Sequence, residues 1–242
     1  MPRDDDVRMQ ANDRKQPRTR HVRRTLTGLA VAVLAGAVAF TLYPEGDGDA
    51  THDGIEIREY QGTRLGSVDD FRENSIAGVQ TIDIETYRLV VDGLVGQTAS
   101  WTYAELQALE HTTKLITIHC VEGWSVTALW EGIRVGELLD VAVPLPAATT
   151  VIFHAADGYT SSLPLAELRR RDLILADRIN GIVLPPANGF PFQLVAEDKW
   201  GYKWVRWVTR IELSADNEYR GFWERRGYNN DGDIDGPIRE GS

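Results

Sequence analysis

In Leu115-Ile116-Thr117-Ile118-His119-Cys120-Val121-Glu122-Gly123-Trp124-Ser125, an apolar, β-branched run ends in a glycine-containing turn. Leu115 to His119 reads as a buried strand that delivers Cys120 to a loop. Cys120 is the only cysteine among the 242 residues, so no disulfide within the chain is possible. Three roles stay open for its thiol. Free cysteines often pack as small hydrophobes. A thiolate held at a strand end is a soft, anionic donor suited to a transition metal. A nucleophilic thiol would need a base, and His119 is the neighbour in sequence. Consecutive strand residues point to opposite faces, which places His119 badly for that task.

The surrounding pattern predicts a mixed α+β domain, strand-rich with short helices. Tyr87 to Gly93 alternates like a strand entering a turn. Thr102-Tyr103-Ala104-Glu105 has capping-box spacing and predicts a short helix over 103–109. Gly136 to Val141 predicts one or two helical turns and Thr150 to Ala155 another strand. A helix is expected over Pro164 to Arg170, with the proline at its first position and Ser162 or Leu163 at the cap. The stretches Phe192 to Ala196 and Lys203 to Leu213 are rich in β-branched and aromatic residues, as expected of paired strands.

The formal charge of −10 is unevenly distributed: residues 1–43 hold eight Lys/Arg and four Asp/Glu, leaving 18 against 32 in the remainder. An acidic body argues against nucleic acid as a partner. Residues 1–24 form a basic N-region expected to be cytoplasmic. Residues 25–43 carry no charge and can just span a bilayer, as an N-terminal hydrophobic helix that is either a retained anchor or a signal. Arginines ahead of that run place residues 44–242 outside the cytoplasm. Arg23-Arg24-Thr25-Leu26 is similar to a twin-arginine signal, and Ala37-Val38-Ala39 offers a cleavage site. Residues 44–69 read as a linker, rich in Gly and Asp at its start, and 70–242 as a single domain.

Cys120-Val121-Glu122-Gly123-Trp124-Ser125, followed by Trp130-Glu131-Gly132, resembles the cysteine segment of the sulfite oxidase superfamily of molybdopterin enzymes. The stretch Asn180 to Val195, containing Pro185-Pro186-Ala187-Asn188-Gly189, is similar to that family's loop and strand over the pterin. It leads into Lys199 to Trp207, and Gly221 to Tyr228 completes the series in the family's order. The resemblance implies a molybdenum–molybdopterin cofactor, with Cys120 as metal ligand. It further implies pterin contacts from Asn188 and Trp204, phosphate contacts from Lys203 and Arg206, and, on a looser match, a contact from Asn74. The sequence departs from the family pattern at Ala155, where a small hydroxyl residue is common and where His154 or a backbone group would have to substitute. It departs again at Gln193, where an arginine is common, although glutamine keeps two donors.

Relatives that oxidise sulfite place an arginine shortly after the cysteine, whereas Trp124 and Ser125 stand there here. This aromatic, uncharged rim resembles the bacterial protein-methionine-sulfoxide reductase branch, with Trp124 lining the substrate entrance. A molybdopterin assembled in the cytoplasm fits twin-arginine export of a folded holoprotein. No haem, iron–sulfur or nucleotide motif occurs, so electrons must come from a partner. A membrane redox protein is expected, with a haem-bearing one as the candidate. The alternatives are an oxidase of sulfite or another small anion with the same cofactor, and a cofactor-free binding domain of the same fold.

Overall fold

A computed structural model describes residues 56–241, so the expected N-region, hydrophobic helix and first part of the linker lie outside the described residues. No helix among the described residues is long and apolar enough to cross a membrane. In chain order the elements are β1 (Glu59–Tyr60), β2 (Thr63–Arg64), β3 (Arg88–Gly93), β4 (Ala99–Thr102), α1 (Tyr103–Gln107), β5 (Thr112–His119), β6 (Ser125–Arg134) and α2 (Val135–Ala142). They continue with β7 (Thr150–Ala155), β8 (Thr160–Pro164), α3 (Leu165–Arg171), β9 (Ile174–Ile179), β10 (Ile182–Val183), β11 (Gln193–Val195) and β12 (Val208–Ser214).

Two five-stranded sheets form the body. One runs β4-β3-β12-β7-β8, with β3 and β12 parallel, and the other runs β10-β9-β6-β5 with β11 also paired to β9. A single core joins them through Leu89 and Val91 of β3, Trp130 and Ile133 of β6, Phe153 of β7, Leu175 of β9 and Ile211 of β12. The expected α+β, strand-rich class is what the chain adopts. The capping box is present too: the Thr102 hydroxyl accepts from the Glu105 N–H, and the Glu105 carboxylate accepts from the Thr102 N–H at 2.8 Å.

Four local expectations are corrected. The strand carrying Cys120 is a sheet edge with period-2 burial: Ile116 and Ile118 point inward while Leu115 is exposed. Pro164 ends β8, paired to Thr150, and caps α3 from outside in an extended conformation (φ −60°, ψ 132°). The strand expected from Lys203 starts only at Val208, because Gly201–Lys203 is a 3₁₀ turn and Trp207 adopts φ +51°. A buried tryptophan in the left-handed region is costly and persists only where its surroundings hold it. The Trp207 indole donates to Pro186 O at 2.8 Å and its N–H to Gly189 O at 3.2 Å, which pins the 186–189 turn to the start of β12.

The fourth correction concerns the linker. From Glu56 the chain is already part of the body, with Leu65 and Val68 buried. Glu56 anchors it: its carboxylate accepts from the Ser67 hydroxyl (2.7 Å), the Val68 N–H (2.9 Å) and the Asn180 amide (3.1 Å), and pairs with Arg58 (2.9 Å). Burial alone would raise this carboxyl's pKa, but the hydrogen bonds and the Arg58 charge outweigh it and hold it below the ordinary carboxylate range. The resulting stability is fully present above the unfolded value near 4.5 and is lost as pH falls through the lowered folded value. Glu56→Gln is therefore expected to lower the melting temperature at neutral pH, at a cost of about 1–3 kcal/mol. It should also flatten the acid limb of the melting-temperature-versus-pH curve. An unchanged acid limb would contradict this assignment.

Candidate active site

Cys120 sits at the tip of the β5–β6 hairpin, where its N–H donates to Trp124 O (2.9 Å) and its carbonyl accepts from the Gly123 N–H (3.0 Å). Gly123 closes the turn at φ +86°, a conformation glycine adopts without penalty. A parallel bridge from His119 to Trp200 ties the hairpin to the segment before β12. The thiol lies in the wall of a cavity of about 220 Å³. Burial and the Glu122 carboxylate push its pKa up, against Arg72, Arg206 and a backbone hydrogen bond at Glu122, which pull it down. The free thiol is thus held in its protonated form, and a metal binding there must displace the proton.

Three further segments complete the cavity. Upstream of β3, the 71–76 stretch brings Asn74, whose amide nitrogen lies 3.9 Å from the Cys120 Sγ and whose oxygen accepts from Arg206 at 3.0 Å. The Pro185–Gly189 turn brings Asn188, which is buried and 3.5 Å from Val68 O. Gly189 has φ +104°, and a Cβ there would stand 3.0 Å from the Arg206 side chain and 3.1 Å from that of Gln193. Arg206 donates to Ala187 O (2.9 Å), faces Glu73 (3.4 Å) and lies over the Trp207 ring (4.8 Å). Burial lowers its pKa, opposed by the charges of Glu73 and Asp157. Trp204 closes the inner wall, packed on Trp130 with its indole donating to Lys199 O at 3.0 Å.

The site residues expected from the sequence thus divide. Cys120, Trp124, Asn74, Asn188, Gln193, Trp204 and Arg206 line one cavity. Lys203, His154 and Ala155 do not. Lys203 is fully buried, its ammonium donating to Glu224 (2.7 Å) and to Ser162 O (3.1 Å). His154 points to Glu212 (2.9 Å) and Arg210 (3.1 Å) on the β12 side. Beyond Ala155, the β7–β8 turn instead sends Asp157 and Tyr159 to the cavity. The expectation of an uncharged rim is also corrected, because Arg72 reaches the cavity from a distant segment. Arg72, Asp157, Tyr159, Trp223 and Tyr228 carried no sequence signal that placed them here, apart from the last two lying in the Gly221–Tyr228 stretch.

The chemistry of these groups fits a molybdopterin. Gln193 is 3% exposed, lines the cavity and has no side-chain hydrogen bond to any described residue. Buried amides rarely go unpaired, and this one is suited to the alternating donors and acceptors of a pterin. The thiol supplies a soft metal ligand, and Arg206 supplies charge.

Residues 76–223 match the oxidoreductase molybdopterin binding domain, and the chain belongs to this family of molybdenum-cofactor oxidoreductases. It is 34% identical over 152 residues to the uncharacterized oxidoreductase YuiH of Bacillus subtilis, covering 62% of this chain and 76% of that one. It is also 34% identical over 152 residues to the putative protein-methionine-sulfoxide reductase subunit YedZ1 of Azospira oryzae, covering 62% and 57%. With the protein-methionine-sulfoxide reductase catalytic subunit MsrP of Gluconobacter oxydans the identity is 32% over 166 residues, covering 60% and 52%. The match thus spans little more than half the length of the last two relatives. Among solved structures, the sulfane dehydrogenase SoxCD from Paracoccus pantotrophus shares the fold, with a TM-score of 0.56 and 22% identity over 62% of this chain and 42% of that one. The family, the sulfite-oxidase-type fold and the resemblance to the methionine-sulfoxide reductase branch therefore hold.

Proposed function

We propose that this protein is an extracytoplasmic reductase of a sulfoxide-type substrate that carries a molybdenum–molybdopterin at the cavity and takes electrons from a membrane redox partner, with a haem-bearing protein as the candidate. The observation that carries the reading is the Cys120 thiol in the wall of a cavity with an aromatic mouth. Phe71 packs edge-on against Trp124 (6.1 Å) and Trp130 (5.8 Å), and the Trp124 indole is held by Glu122 at 3.3 Å. The names of two relatives support the substrate class. The uncharged run at 25–43 behind its arginines supports export and proximity to a membrane partner.

In this reading Cys120 would lose its proton and hold the metal as thiolate. Asn188 and Gln193 would hold the pterin with their amides, Arg206 would hold its phosphate, and Trp204 would supply an aromatic wall. Asn74 links the thiol to Arg206 and fixes both. The cofactor, when bound, supplies two-electron oxygen-atom transfer, while the protein supplies position and electrostatics. Phe71 and Trp124 exclude water from the mouth and receive the apolar substituents of the sulfoxide.

The test is reduction of methionine sulfoxide by the holoprotein with a reduced viologen dye, run beside sulfite oxidation with ferricyanide. Sulfoxide turnover without sulfite oxidation is expected. Sulfite oxidation alone would replace this reading by the small-anion oxidase, which the presence of Arg72 favours. Trp124→Ala is expected to raise KM for methionine sulfoxide on the order of tenfold, from loss of about 1–2 kcal/mol of aromatic contact. Because the side chain is half-buried, the melting temperature should change little. An unchanged KM would remove Trp124 from the entrance.

A further inference from the structure

Arg72 is an exposed guanidinium that lines the catalytic cavity, and it makes no hydrogen bond, ion pair or ring contact with any described residue. Its situation differs from that of the other charged groups there. Arg206 is engaged by Asn74, Ala187 and Glu73, Glu122 accepts from Trp124, and Asp157 accepts from the Tyr159 N–H at 2.9 Å. Phe71, the neighbour of Arg72, packs against Trp124 and so places this segment at the mouth. Arg72 lies just ahead of the 76–223 stretch that matches the family.

A cation at the cavity mouth, with no carboxylate within ion-pair distance, is suited to bind an anionic group on an incoming molecule, and guanidinium favours carboxylates and oxyanions through paired N–H donors. We propose that Arg72 is a specificity-determining residue that binds an anionic substituent of the substrate, such as a carboxylate near the sulfoxide group, while Trp124 and Phe71 receive its apolar part. This rests on the molybdenum-dependent reading of the same site. An acidic protein repels anions at long range, so the preference must come from local contact at Arg72.

The experiment compares methylsulfinylacetate with its uncharged amide on the holoprotein and on Arg72→Gln. Turnover is measured with a reduced viologen dye, and binding is measured by calorimetry without reductant. The wild type is expected to bind and use the acid with a lower Kd and KM than the amide. Arg72→Gln should weaken both for the acid on the order of tenfold or more, abolish the preference and leave kcat little changed. Binding of the acid through Arg72 without turnover would uphold this inference and sink the reductase reading. Turnover of both compounds, with Arg72→Gln leaving their ratio unchanged, would do the reverse. Loss of pterin from Arg72→Gln would overturn the inference by assigning the guanidinium to the cofactor, as would absence of any acid preference in the wild type.

Discussion

Cys120→Ser is expected to purify as folded protein, to lose molybdenum ligation through this position and to lose at least about a hundredfold in sulfoxide reduction. Changes to residues that merely support metal ligands already cost about 10- to 100-fold, and this change removes a ligand itself. A hydroxyl is a hard, weakly acidic donor that does not replace a thiolate on a soft or high-valent metal. The fold should tolerate it. The hairpin is held by backbone bonds between Cys120, Gly123 and Trp124, none of which uses the sulfur, and serine is close to cysteine in size. The thiol's own contact, with the Asn74 amide at 3.9 Å, is long and weak, so its loss costs little. Circular dichroism and melting temperature should match the wild type. A variant that kept both activity and metal–sulfur absorption features would return Cys120 to the role of a small buried hydrophobe.

Glu224→Ala is expected to have the largest effect on stability, about 3–5 kcal/mol, which is a melting-temperature drop on the order of 10 °C for a domain of this size. Lys203 and Glu224 are both fully buried and 2.7 Å apart. The Ser161 hydroxyl donates to the same carboxylate oxygen at 2.6 Å. Burial lowers the Lys203 pKa and the Glu224 charge opposes that shift, so removing the carboxylate leaves a buried ammonium with the Ser162 carbonyl as its one hydrogen-bond acceptor among the described residues. The double variant Lys203→Met/Glu224→Gln should recover a large part of the loss, since replacing a whole buried pair costs far less than breaking it. Thermal denaturation of the two variants gives the answer. Equal loss in both would show that packing around Gly221 and Trp223, not the charge pair, carries the stability.

The pair also explains what the sequence could and could not convey. Lys203 stands in a run of alternating aromatics that imitates a strand, and on a strand it would have been a surface cation free for a phosphate. The left-handed Trp207 ends that pattern, a backbone feature with no local signal, because the carbonyls that accept from its indole and its N–H belong to the distant Pro186 and Gly189. Lys203 is consequently turned inward to Glu224, in a segment whose role was legible only as a motif. His154 was misplaced for a related reason: its partners Arg210 and Glu212 lie on β12, paired to β7 across 56 and 58 residues. Residues displayed by local turns were legible. Cys120 before Gly123, and Asn188 before Gly189, are presented by glycines at φ +86° and +104°, and their neighbours in sequence announce the turn. Arg72, Asp157 and Tyr159 were not, because they reach the cavity only through the packing of remote segments.

The central claim is that the cavity beside Cys120 holds a molybdopterin. Its most direct test is elemental analysis for molybdenum together with pterin release, on full-length protein purified from a molybdenum-replete host that makes the cofactor. The account predicts molybdenum and pterin each equimolar with the chain. Well-folded protein containing neither would contradict it and would leave a cofactor-free binding domain built on this fold.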